Sequence, residues 1–430
     1  MIGSAFARSV LERRGLIMRV RNGREFLSIP GPTTVPDRVL TAMHRPAVDI
    51  YDGELLEVTR NCLEGLRAVL KTEGQAYIYA ANGHGAWEAA LTNCLSAGDK
   101  VLVLESGLFA VTWGGMAEVL GLEVEVLPGR PRRAVDAEAL EQRLRNDTSN
   151  SIKAVLTVQI DTASGVVNDI PAIRGAMDMA GHDALLMVDI IASLCSMPFE
   201  MDAWGVDVAV AGSQKGLMVP PGLGFNGVGS RARERRAHAD LVTHYWDWEF
   251  RDGPEHYMKY CGTAPEHLLF GLDESLKMLF EEGLPNVIER HRLLAETVRT
   301  AVARWCRGDA LEFNITEPGE RANSVTTVRA SGIDPAPLIA FCRDVCGVTI
   351  GIGIGPELSG SAFRIAHMGH VNAPMVLGTL SVIETAMTAL KVDHGEGGVD
   401  EAIRFLGTSL EGSVPAPTGS PVPGQRCCDA

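Results

Sequence analysis

One lysine in this chain stands where lysines are costly. Lys215 comes just after the apolar run "VDVAVAG" at 206–212 and the polar pair Ser213-Gln214, and it precedes Gly216, Pro220 and Pro221. A lysine at the buried end of a strand loses solvation and its pKa falls. The neutral amine is then a nucleophile able to form a Schiff base with an aldehyde. An aldehyde cofactor needs further parts: a carboxylate for a pyridinium nitrogen, a flat partner for the ring, and donors for a phosphate.

Each part has a candidate. Asp189 closes the run "LLMVD", where a carboxylate requires a partner, either a ring nitrogen or the amides of a cap or turn. "ANGHGAWEAAL" at 81–91 sets Asn82, Gly83 and His84 at a helix start. Exposed amides and the helix dipole suit a phosphate there, although glycine-rich caps are common too. Phe109 in "SGLFAV" fits either a ring shelf or the core, and "DTASG" at 161–165 offers the hydroxyls of Thr162 and Ser164, as an ordinary turn also would. Arg364 in "AFRIAHMGH" lies in an apolar strand, where a guanidinium needs a bidentate carboxylate from protein or substrate.

The elements that must position these residues alternate regularly. Strands are predicted at 76–80, 101–106, 153–160, 184–190, 206–212 and 222–229, most of them separated by amphipathic helices. Continuous Val/Leu/Ile/Ala strands divided by helices predict a mostly parallel α/β sheet buried on both faces, with ligands at the carboxyl ends of its strands. From residue 284 the pattern changes to a long helix, then strands near 324–330, 348–355 and 362–369, and a last helix ending near 390. The expected organisation is an extension over 1–24 and a large domain over 25–283. A smaller α+β domain over 284–394 and a disordered Pro/Gly/Ser-rich tail over 395–430 complete it.

Composition narrows the partners. The 430 residues carry a formal charge of −15, which gives no basic footprint for nucleic acid or an anionic membrane. No apolar run approaches the roughly 18 to 20 residues of a membrane span. The nine cysteines show no zinc or redox spacing, Cys342/Cys346 and Cys427-Cys428 included. Reduced thiols, a cytoplasmic protein and no metal are expected. The arginines before residue 25 are transit-like, but Glu12 and the short apolar core favour a plain extension with Met18 as a second candidate start.

Together and in this order the motifs resemble class V, fold-type I pyridoxal-phosphate aminotransferases of the serine–glyoxylate and alanine–glyoxylate group. The resemblance runs from "GREFLSIPGPTTVPDRVLTAMHRPAVD" at 23–49 to the helix ending near 390. "MDAWGVDVAVAGSQKGLMVPPGLG" and "FRIAHMG" are its most specific parts. It implies that Lys215 carries pyridoxal 5'-phosphate and Asp189 faces its ring nitrogen. Asn82, Gly83, His84 and Gln214 would surround the phosphate, and Phe109 would take the place of a stacking aromatic that is often tryptophan. It further implies that Thr162 or Ser164 contacts the cofactor and that Arg364 grips the substrate carboxylate. Tyr260 and Thr263 in "YCGT" match a pair that reaches the phosphate of the neighbouring subunit, so a homodimer with shared active sites is expected.

Two departures bear on substrate. Ile50, Tyr51, Asp52 and Gly53 replace a usual His-Arg and Gly-Pro step at the active-site mouth, and Glu266 and His267 replace small or neutral residues after Thr263. These are either interface drift or a changed amino donor. An acid at the mouth repels anionic substrates, so serine or alanine with glyoxylate or pyruvate is expected over aspartate–glyoxylate transfer. Pyridoxamine–pyruvate transfer competes, because "HMG" after Arg364-Ile365-Ala366 is shared with that subfamily. A lyase or desulfurase of the same fold would need a reactive cysteine, for which Cys195 is the nearby candidate. A non-catalytic scaffold would have lost Lys215 or Asp189, and both are present.

Overall fold

The apolar runs become the strands of one seven-stranded sheet because each is hydrophobic on both faces. Three of them, Leu185–Asp189, Val208–Gly212 and Leu223–Val228, are buried at every residue. The structure is a computed structural model that describes residues 19–413. Its strand order is Gln75–Ala80, Leu223–Val228, Val208–Gly212, Leu185–Asp189, Ile152–Val158, Lys100–Leu104, Glu123–Leu127. The five strands from Val208–Gly212 onward run parallel, while Leu223–Val228 is antiparallel to both neighbours. The fold is the mostly parallel α/β architecture expected. The strand Glu123–Leu127 was not anticipated: it alternates Glu and Val at a half-exposed edge, where no continuous apolar run exists.

Register brings the site ends together. Val158 pairs with Asp189, and Asp189 pairs with Val210, so three neighbouring strands finish side by side. Lys215 follows the third of them after two residues, Ser213 and Gln214 lying between it and Gly212.

The second sheet is ordered Phe26–Ser28, Val348–Ile352, Ala362–Ala366, Val325–Ala330, Leu311–Phe313. It packs under the helices Leu284–Trp305, Ala336–Asp344, Ala373–Leu390 and Gly398–Ser409 through one core that includes Val298, Trp305, Phe363 and Leu380. Arg364 stands between Thr327 on one neighbouring strand and Gly351 on the other.

Three expectations need correction. Phe26–Ser28 pairs with Val348–Ile350, so the segment expected to open the large domain is an edge strand of the small one. The expected tail is helical over Gly398–Ser409, where Ala402 and Leu406 enter the small-domain core. Its apolar residues recur at helical spacing, a signal outweighed in the sequence by the Gly/Pro-rich stretch beyond. Residues 1–18 with Met18, and 414–430 with Cys427-Cys428, lie outside the described residues. Finally, the helix Ala373–Leu390 is long and apolar enough, by length and composition, to cross a membrane. Its Val376, Leu380, Ile383 and Met387 are spent on the small-domain core.

Candidate active site

Lys215 is held by its loop rather than by its own charge. Ser213 Oγ donates to Pro220 O at 2.7 Å and accepts from Leu223 N at 3.2 Å, tying the two ends of the segment. Thr33 Oγ1 donates to Lys215 O at 3.0 Å, and Thr33 N donates to Gln214 O at 3.1 Å. Lys215 Nζ donates to Pro30 O, beside Gly31. A Cβ on Gly31 would fall on the lysine side chain, and φ there is +109°. Burial lowers the Lys215 pKa to about 8, the positive charge of Arg364 pushes the same way, and Asp189 opposes both. A neutral amine is therefore accessible near neutral pH, as a nucleophile requires.

Asp189 is buried at the end of its strand. Oδ1 accepts from Ile191 N at 2.7 Å and Oδ2 accepts from Trp87 Nε1 at 2.8 Å. Desolvation still raises its pKa to about 7, because neither donor carries a charge. A protonated ring nitrogen would supply the missing charge. Trp87 stacks on Trp113 and meets His84 with ring centroids 4.4 Å apart.

Gly83 and His84, at the start of the helix Gly83–Cys94, line the same cavity. Asn82 is its N-cap: Oδ1 accepts from His84 N at 3.1 Å and Gly85 N at 3.4 Å. The side chain expected among the phosphate ligands thus already occupies the amides that were expected to serve the phosphate. The remaining fit is good. Gly83 lies so close to Ile191 that a Cβ would collide with it, leaving a close backbone approach. Gln214 lines the cavity too, and its amide NH2 is the group that can donate to a phosphate. Burial lowers the His84 pKa. A buried carboxylate without a charged partner, a desolvated lysine, and the amide of Gln214 beside a helix start, all lining one cavity, fit pyridoxal phosphate.

Phe109, Thr162 and Ile191 line the walls of this cavity. Of the two hydroxyl candidates the structure brings only Thr162 to it. Ser164 Oγ donates instead to Ser106 O at 3.0 Å and accepts from Val166 N at 3.3 Å, a turn role. Arg364 is 8% exposed; Nε donates to Ile352 O at 2.6 Å and Nη1 to Thr162 O at 2.9 Å. Among the described residues no carboxylate forms an ion pair with it. Burial lowers its pKa to about 10, and Asp161 is the charge that opposes the shift. A cation desolvated this far and held by two carbonyls is ready for a carboxylate.

Other expected residues lie elsewhere in this protomer. Tyr260 is 2% exposed with its hydroxyl 2.9 Å from Thr59 Oγ1, inside its own chain, while Thr263 is exposed. Tyr51 is 69% exposed, and Asp52 Oδ1 accepts from Gly53 N. Glu266 opens the helix Glu266–Glu282, and His267 Nε2 lies 2.9 Å from Arg45 O. None of these lines the cavity. Cys195 is buried against the Lys215 loop with its pKa raised to about 12, far from the exposed thiolate a desulfurase needs. Sequence reasoning missed Trp87, whose place four residues after Gly83 puts it on the same helix face. It also missed Asp161, Pro30 and Thr33, which carry no local signal.

A lysine after a strand's carboxyl end, a buried carboxylate on the neighbouring strand and a desolvated guanidinium bonded to the cavity wall define a pyridoxal-phosphate enzyme of fold type I. Residues 26–367 match the family Aminotransferase class-V, and the chain belongs to that family. It is 39% identical to serine–glyoxylate aminotransferase of Methylorubrum extorquens over 88% of this chain and 95% of that one. It is 37% identical to L-aspartate–glyoxylate aminotransferase of Paracoccus denitrificans over 86% and 93%. Among solved structures it is similar to pyridoxamine–pyruvate aminotransferase of Mesorhizobium loti, with a TM-score of 0.81 at 25% identity, covering 91% and 100%. The chain is a transaminase.

Proposed function

We propose that this transaminase moves the amino group of serine or alanine to glyoxylate or pyruvate, as a homodimer with shared active sites. The observation that carries the substrate reading is Arg364. It donates to the carbonyl of Thr162, a residue of the cavity wall, and among the described residues no carboxylate pairs with it, so one guanidinium is offered to one substrate carboxylate. A donor with a second carboxylate would bury that charge with no partner, a cost of several kcal/mol. Small neutral side chains avoid it. The similarity to the serine–glyoxylate enzyme of M. extorquens supports the same donor and acceptor.

Bound pyridoxal phosphate supplies an aldehyde and an electron-accepting ring. Lys215 Nζ would hold the aldehyde and, as a free amine, would take the proton from the donor's Cα. Asp189 would hold a proton on the ring nitrogen, which stabilises negative charge developing at Cα. Trp87 and Ile191 N orient Asp189, Phe109 closes one wall, and the buried walls exclude water. Arg364 fixes the carboxylate so that the Cα–H bond faces the lysine.

Exposed Thr263 supports the dimer, since it is free to reach a second copy, whereas Tyr260 spends its hydroxyl on Thr59. The proposal includes a cytoplasmic location, supported by the free thiols of the seven described cysteines.

Mixing the loaded protein with single amino acids and following its visible spectrum tests the donor. Serine or alanine should bleach the cofactor band and glyoxylate or pyruvate restore it, with aspartate and glutamate much slower. Aspartate as the best donor, or turnover of pyridoxamine with pyruvate alone, would overturn the reading. For the dimer, a Lys215→Ala chain is mixed with a Thr263→Ala chain. Shared sites give one intact site per heterodimer and restored activity; no restoration under demonstrated subunit exchange would count against sharing.

A further inference from the structure

The helix Leu108–Val119 carries Phe109 into the cavity, yet its own N-cap residue is Gly107, which has no side chain to give. The amides a cap ordinarily satisfies are those of the second and third helical residues, here Phe109 and Ala110. Both point at one carboxylate from elsewhere in the chain. Asp161 Oδ2 accepts from Phe109 N at 2.8 Å and from Ala110 N at 3.4 Å, across 52 and 51 residues of sequence. Its other oxygen accepts from Ala163 N at 2.9 Å, fixing the turn that presents Thr162. The carbonyl of Thr162 in turn receives Arg364 Nη1. Space confirms that the arrangement is built in: a Cβ on Gly107 would land on the Asp161 carboxyl group.

We propose that Asp161 is a positioning residue that caps the helix Leu108–Val119 from outside, and through that cap sets Phe109 against the cofactor ring. The proposal rests on the pyridoxal-phosphate assignment but not on which amino acid is the donor. The hydrogen-bond partners of the carboxylate are backbone N–H donors, those of Phe109, Ala110 and Ala163. An amide in its place has one oxygen for two sets of N–H groups, so one set would face an NH2 and lose its bond inside the protein. A negative charge at a helix start also gains from the dipole, which a neutral amide does not.

A double-mutant cycle on cofactor affinity tests this. Cofactor-free protein is titrated with pyridoxal 5'-phosphate and its tryptophan fluorescence followed, Trp87 lining the cavity. The four proteins are wild type, Asp161→Asn, Phe109→Ala and the double variant. Asp161→Asn should weaken affinity about tenfold or more in the wild-type background and less than about threefold once Phe109 is gone. Equal factors in both backgrounds, or an unchanged affinity for Asp161→Asn, would overturn the proposal. If Asp161→Asn does not fold, Gly107→Ala replaces it, since its methyl displaces the same carboxyl, and the same two outcomes decide. Wild-type protein that bound no pyridoxal phosphate would sink the cofactor assignment itself, a separate failure.

Discussion

Trp87 Nε1 donates to Asp189 Oδ2 at 2.8 Å, joining the helix Gly83–Cys94 to the end of the strand Leu185–Asp189. The bond crosses 102 residues of sequence and links the helix proposed to receive the phosphate to the carboxylate proposed for the ring nitrogen. Its neutral donor orients the carboxylate without removing the cost of its charge.

That cost is measurable without cofactor. Burial raises the Asp189 pKa to about 7, above the roughly 3.9 of an unfolded aspartate. Below about pH 4 both states hold the proton and the group's contribution to stability is full; it is lost as pH rises through 7. The melting temperature of the cofactor-free protein should therefore fall between pH 5 and 8, a change worth a few kcal/mol. Asp189→Asn should flatten the dependence, and parallel slopes for the two proteins would contradict it. With cofactor bound, the same variant should lose several orders of magnitude in turnover. Trp87→Phe should lose about tenfold or more, the worth of a hydrogen bond to a charged group.

Lys215→Ala should abolish covalent attachment of the cofactor. Borohydride treatment followed by peptide mapping should place pyridoxal phosphate on the Lys215 peptide of the wild type and on no peptide of the variant. A modified peptide elsewhere would displace the assignment.

Arg364→Lys keeps a charge but loses the planar fork held by Ile352 O and Thr162 O. KM for amino acids should rise about tenfold to a hundredfold, with a smaller effect on amines that lack a carboxylate. Equal losses for both kinds of substrate would make the arginine structural.

Gly31→Ala should cripple cofactor attachment while leaving most of the fold. The backbone there, at φ +109°, disfavours any side chain, and the added methyl would occupy the space of the Lys215 side chain. Slower and weaker development of the visible cofactor band, at a nearly unchanged far-ultraviolet circular dichroism spectrum, is the expected result. Full-rate attachment would show that the lysine has another resting place.

What the sequence determined by itself was the order of strands and helices and the residues at the strands' carboxyl ends. Fully buried strands such as "LLMVD" and "VAVAG" are continuous apolar runs, so Asp189 and Lys215 stood out as the polar groups that interrupt or follow them. Arg364 stood out for the same reason inside "AFRIA". Local composition carries that much because burial acts on each residue as it comes. Tertiary structure decided everything that depends on pairing between distant segments. It chose Thr162 over Ser164, spent Asn82 on its own helix, and sent Phe26–Ser28 across to the small domain's sheet. It also gave Gly107 a cap from Asp161 and Asp189 a donor from Trp87. A hydrogen bond between residues 50 or 100 positions apart leaves no periodicity behind, because its energy depends on where the packed sheet and helices bring the two groups rather than on their neighbours in the chain.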